Sequence, residues 1–191
     1  MFRFIFVLLA SLVTWNAQAQ TASASLSETS AQLKYGLLVG GASYGRSEMV
    51  MGLLFNEKDD YVAELGLHVV DEAGSRARGL KIGVGGKVFA TTMPASSRDV
   101  DLLALGLGMQ MMYSLPGADR ISVGGTFYYA PPIVSFMDAE RFREGALRLQ
   151  FALFPEAAVY VEAHQFHVTL SDGRGSFSIE KGARVGLQVE F

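Results

Sequence analysis

His164 and His167 stand three apart in Ala163-His164-Gln165-Phe166-His167, with Glu162 just before them and Ser171 and Asp172 just after. An imidazole near a carboxylate and a hydroxyl is the raw material of ester or peptide hydrolysis, in which the acid orients the base and the base activates the nucleophile. No nucleophile motif frames these residues, so a surface hydrolase acting on lipid or peptide is the rival reading and not the preferred one. A spacing of three puts the two histidines on opposite faces of a strand unless a bulge intervenes, which also spoils a metal pair. On one face of this segment Tyr160, Glu162 and His164 give way to Phe166, Val168 and Leu170, and a bulge near 163–165 would account for the change. The chain has no cysteine, which excludes disulfides and thiolate metal sites. No metal and no cofactor is expected.

A second chemical set is distributed along the chain. Lys34, Lys81, Lys87, Arg148 and Arg184 oppose Glu48, Glu64, Glu144, Glu162 and Glu190, each on the polar face of a segment whose other face is apolar. Near-equal opposite charges on facing walls either line a narrow selective pore or pair across a filled interior. The filled interior is preferred, because side chains can largely fill a small barrel. Glycines share the same faces, among them Gly36, Gly52, Gly66, Gly106 and Gly186. They either allow close approach of the charged side chains or leave a water path.

These residues are positioned by strands. From Thr21 the hydropathy has period two, giving about ten strands near 21–28, 32–43, 46–56, 60–70, 79–91, 99–114, 119–130, 141–154, 157–170 and 180–191. Strand 99–114 sets Leu103, Leu105, Leu107, Met109, Met111 and Tyr113 against Ala104, Gly106, Gly108 and Gln110. Many segments reach the roughly 9–11 residues of a tilted membrane-spanning strand and exceed the usual 5–6 of globular ones. The segment 21–28 alternates weakly, and eight strands is the alternative count. The aromatics Tyr35, Phe55, Tyr61, Phe89, Tyr113, Phe127, Tyr129, Phe154 and Phe191 fall near strand ends, where membrane-interface girdles sit.

The two ends of the chain point the same way. Residues 1–19 read as a signal peptide with a basic Arg3, an apolar run from Phe4 to Val13 and a small-x-small site at Ala17-Gln18-Ala19, predicting cleavage after Ala19. Its loss removes one cation and no acid, moving the formal charge from −3 to −4, a balance that argues against nucleic acid as a partner. At the other end Arg184-x-Gly186-x-x-Val189-x-Phe191 resembles the terminal signal read by the outer-membrane barrel-assembly machinery. The terminus is then expected to face the periplasm, with 131–140 and 171–179 as external loops and Pro131–Met137 as an apolar loop tip touching lipopolysaccharide or folding into the lumen. The segment 71–78 is long for a periplasmic turn.

The glycine-spaced Leu65-Gly66-Leu67 and Val84-Gly85-Gly86-Lys87, the run Phe127-Tyr128-Tyr129-Ala130-Pro131, the strand order and the final Phe191 together resemble the YfaZ family of small Gram-negative outer-membrane proteins. The resemblance covers essentially all of 20–191 and implies location and fold, with no activity to carry over. The sequence therefore predicts an all-β, antiparallel, up-and-down transmembrane barrel, monomeric and non-enzymatic, structural or a narrow pore. Its expected surroundings are outer-membrane lipid and lipopolysaccharide. A soluble periplasmic binding domain is the third alternative.

Overall fold

The computed structural model describes residues 20–42, 45–57, 60–74, 78–93, 100–137, 139–170 and 175–191; the expected signal peptide lies outside them. They form β1 (Gln20–Leu26), β2 (Ser30–Ala42), β3 (Gly45–Asn56), β4 (Tyr61–Glu72), β5 (Leu80–Met93), β6 (Val100–Ser114), β7 (Ile121–Ala130), β8 (Ser135–Met137), β9 (Ala139–Phe154), β10 (Ala157–Leu170) and β11 (Ser176–Glu190). Neighbours pair antiparallel in the order β5-β4-β3-β2-β1-β11-β10-β9-β7-β6, and a β5–β6 pairing closes the ring. Closure leaves no open edge, the condition for a sheet to sit in hydrocarbon.

Eleven strands fill ten wall positions. β8 pairs with the start of β6 (Leu103↔Phe136) beyond the point where β7 leaves it (Leu107↔Tyr129), so β7 and β8 are two pieces of one wall strand. The interruption is Pro131-Pro132, which cannot donate to the ladder and opens a 3-10 turn over Pro132–Val134. Much of 131–140, expected as an external loop, is thus wall. The weak segment at the start is also wall: β1 pairs with both β2 and β11, which excludes the eight-strand alternative.

Side chains alternate across the wall. In β4, Val62, Glu64, Gly66 and His68 are buried inside, whereas Leu65, Leu67 and Val69 are exposed outside. β10 repeats the pattern without a break from Ala158 to Leu170, so the expected bulge at 163–165 is absent. The register shift lies instead on the partner: Phe166 faces Glu180 and His167 faces Ser178, leaving Ile179 as the extra residue, and both Ile179 and Glu180 turn inward. The N-terminal residue of β1 and the last residue meet at one rim, where Gln20 N–H donates to Phe191 O at 2.8 Å. This is the terminal rim, and the other is the distal rim. The outer wall is apolar through most of its circumference, with Leu107, Met109, Val84, Leu67 and Leu147 each more than half exposed. Water would hydrate such a wall poorly; lipid does not. The protein is a membrane barrel.

Candidate functional site

The interior has three levels. At mid-height a charged layer crosses the lumen. Lys87 of β5 reaches Glu64 of β4 at 3.1 Å and Glu144 of β9 at 3.0 Å, and Lys34 of β2 adds a second contact to Glu64 at 3.2 Å. The chain of charges continues through His164, 3.5 Å from Glu144 and 3.4 Å from Glu180, to Arg184, which lies 2.6 Å from Glu180 and also bonds Gln32 and His164. Arg148 donates to Glu162 at 2.8 Å and lies over the Tyr160 ring at 3.8 Å. Four cations thus meet four carboxylates, and Glu64, Lys87, Glu144, Glu162 and Arg184 are all buried. Such a layer is tolerable only because each charge is matched.

Glycine provides the room. A Cβ on Gly66 would sit 2.7 Å from His68 Cε1, and one on Gly106 3.1 Å from Phe89 Cε2. Close approach, not a water path, is what these small residues provide here.

Toward the distal rim the lumen is apolar. Phe89, Phe142 and Phe166 are wholly buried and in mutual contact, with ring centroids 4.2 Å apart for Phe89–Phe142 and 5.5 Å for Phe142–Phe166. Leu54, Val62, Leu102, Val168, Leu170 and Ile179 complete the plug. Tyr128 joins the levels: its ring lies 4.4 Å from the Lys87 ammonium, and its hydroxyl is 2.8 Å from His68 Nε2.

Toward the terminal rim the lumen opens into a cavity of about 310 Å³ with mixed walls, including Lys34, Glu48, Lys81, Arg148, Glu162, Gln188 and Glu190. The ten charged candidates therefore separate. Glu64, Glu144 and Arg184 belong to the closed layer, Lys34, Lys87, Arg148 and Glu162 to both layer and cavity, and Glu48, Lys81 and Glu190 to the cavity alone. Of the proposed assembly residues, Arg184 and Gly186 are inside and Phe191 is exposed at the rim.

The histidines do not form a hydrolytic pair. His164 is buried against Arg184, Glu144 and Glu180, whereas His167 faces outward, 3.3 Å from Ser178 Oγ. The Ser30 hydroxyl donates to Glu180 at 2.5 Å, on the carboxylate and not on the imidazole, so the order acid, imidazole, nucleophile is not built there. Ser171 and Asp172 lie outside the described residues. Among the described residues no three acidic or imidazole side chains converge on a metal position.

Phe89 is the one girdle aromatic that the structure places inside. Its position shares strand parity with Lys87, and that parity was the signal to follow. Phe142 shares parity with Glu144 in the same way. Glu180 shares parity with Arg184 in the same way; Ile179 had no such signal, because as the extra residue it turns inward against the parity of the exposed Lys181.

The sequence matches the family described as YfaZ precursor over residues 1–191. No curated protein matches it. Among solved structures, it is similar to the KdgM porin in complex with disordered oligogalacturonate, with a TM-score of 0.47 and 10% identity over 91% of this chain and 99% of that one. It is also similar to the outer membrane channel DcaP of Acinetobacter baumannii, with a TM-score of 0.42 and 11% identity over 92% of this chain and 59% of that one. For the translocator domain of the autotransporter NalP from Neisseria meningitidis the values are 0.34 and 12%, over 99% and 94%.

Proposed function

The chain belongs to the YfaZ family, and on that premise we propose that this small outer-membrane barrel is a non-conducting, structural wall element, open only as a polar cup on the periplasmic side. The carrying observation is the Phe89–Phe142–Phe166 layer, wholly buried above the Lys87–Glu64–Glu144 bridge. An ion crossing the lumen would have to displace packed aromatic rings and then break a matched ion pair. Either step costs several kcal/mol. In this reading the terminal rim is periplasmic, and Lys34, Glu48, Lys81, Arg148 and Glu162 wet the cup walls. Arg184, Gly186, Val189 and Phe191 present the last strand to the assembly machinery during biogenesis. A non-enzymatic role is supported by His164 being committed to Arg184 and two carboxylates.

Planar-bilayer recording on the refolded barrel tests this. Wild type is expected to insert without current steps, whereas F142A/F166A opens reproducible ones. Steps from folded wild type that shift when Lys87 or Glu144 is neutralised would replace this reading with the narrow pore.

A further inference from the structure

Among the described residues the apolar outer wall is breached in one sector. Along the row Leu107↔Tyr129↔Arg143↔His167 the outward side chains pass from aliphatic and aromatic on β6 and β7 to cationic and imidazole on β9 and β10. The adjacent row, Met109↔Phe127↔Gly145↔Gln165↔Lys181, passes from apolar side chains on β6 and β7 to glycine, a neutral amide and a cation on β9, β10 and β11. Both changes fall in the same sector and toward the distal rim, since the outward positions nearer the terminal rim remain apolar: Leu147, Leu149 and Phe151 on β9, and Val185 and Leu187 on β11.

The breach is also a depression. A groove of about 600 Å³ runs across it, floored by the strand backbone at Gly145, Ala163 and Gly182. At Gly145, which shares strand parity with the outward Arg143 and Leu147, no atom lies within 4 Å of where a Cβ would stand. Arg143, His167 and Lys181 border its polar side, and Phe127 and Leu147, 52% and 71% exposed, border its apolar side. Arg141, one outward position nearer the distal rim, pairs with Glu140 at 3.5 Å. Among the described residues Arg143 and Lys181 have no carboxylate in ion-pair contact. Unmatched cations on a lipid-facing wall are unfavourable unless an anion meets them there.

We propose that this groove is a binding site for a phosphorylated, acylated glycolipid of the leaflet at the distal rim. Its phosphate would sit against Arg143 and Lys181, and an acyl chain would run over Phe127 and Leu147. The order along β9 carries the assignment: Arg143 lies toward the rim and Leu147 toward the membrane centre, which is how a leaflet lipid is oriented. Charge decides the headgroup, since basic clusters at membrane surfaces recruit anionic lipids. The site rests on the outer-membrane reading with the termini periplasmic, which makes the lipid lipopolysaccharide.

The test uses the protein purified from membranes in zwitterionic detergent and native mass spectrometry of added lipid. The probes are bis-phosphorylated lipid A, its dephosphorylated form and phosphatidylglycerol. Wild type and R120Q, which removes a cation at the terminal rim, are expected to hold lipid A. R143Q/K181Q is expected to bind it roughly 30-fold more weakly, the effect of two surface cations, and dephosphorylated lipid A is expected to bind wild type as weakly. Heat-modifiable gel mobility checks that each variant is folded. Retention of lipid A by the folded double variant would overturn the proposal, as would equal binding of phosphatidylglycerol or of the dephosphorylated lipid. Loss of folded mobility in wild type itself would count against the barrel reading and not against the groove.

Discussion

Replacing Lys87 with Met is the perturbation to which the interior is most exposed. Its ammonium lies 3.1 Å from Glu64 and 3.0 Å from Glu144, with all three side chains at most 6% exposed. Met fills most of the volume of the lysine stem, so little of the effect is a cavity. The loss is electrostatic: Glu144 keeps only the imidazole of His164 at 3.5 Å, and Glu64 keeps only Lys34 at 3.2 Å. Removing one partner of a buried ion pair costs about 3–5 kcal/mol. The contact of the ammonium with the Tyr128 ring at 4.4 Å is lost as well and adds about 1 kcal/mol. Urea titration of the folded barrel in detergent reads this as a lower midpoint. Far-UV circular dichroism and cold gel mobility serve as probes, because the single tryptophan, Trp15, falls in the expected signal peptide. K87M/E64Q/E144Q removes the charges together and is expected to be more stable than K87M alone, since no carboxylate is left unmatched. A K87M midpoint within about 1 kcal/mol of wild type, or a triple variant weaker than K87M, would refute the reasoning.

Three further outcomes follow from the same geometry. H164A is expected to lower stability by about 1–3 kcal/mol through the cavity left in the buried layer and the lost contacts with Glu144, Glu180 and Arg184, and H167A by less than about 0.5 kcal/mol, in the same urea titration; equal effects would mean that the two faces are misassigned. G186A places a Cβ 2.6 Å from Tyr160 Oη and is expected to cost about 1–3 kcal/mol, whereas G41A meets nothing within 4 Å and is expected to be neutral or slightly stabilising. The chain has no cysteine, so single cysteines report topology cleanly. A charged maleimide is expected to label Q110C through the cup, a membrane-permeant one to label L107C in the wall, and neither to label F166C in native protein; ready labelling of F166C would show that the plug is open.

The wall was legible in the sequence because lipid imposes one rule on every strand: outward positions are apolar at period two. That rule placed Leu65, Leu107 and Leu147 outside and Lys87 and Glu144 inside. Two things escaped it. Pairing partners are non-local, so the addition of Ser135–Met137 to β6 after the proline break could not be read from the segment itself. A one-residue insertion also breaks the parity of a strand: Ile179, the extra residue of β11, is buried inside although the parity of Lys181 and Val185 would set it outside.

The plug left a subtler trace. Where the lumen is polar, a strand alternates apolar and polar residues; where the lumen is itself apolar, the same strand becomes apolar on both faces and the alternation disappears. Leu53-Leu54-Phe55, Leu102-Leu103-Ala104-Leu105 and Phe127-Tyr128-Tyr129-Ala130 are such runs. Within each, the buried members Leu54, Leu102, Ala104, Tyr128 and Ala130 face the lumen, and Leu53, Leu103, Leu105, Phe127 and Tyr129 face lipid. All three runs lie at the distal ends of their strands. Period two failing at one end of several strands, while holding at the other, is therefore the sequence signature of a barrel stoppered at that end. The same argument accounts for Phe166, Val168 and Leu170 following His164 on one face: the strand does not change sides there, but the lumen changes character.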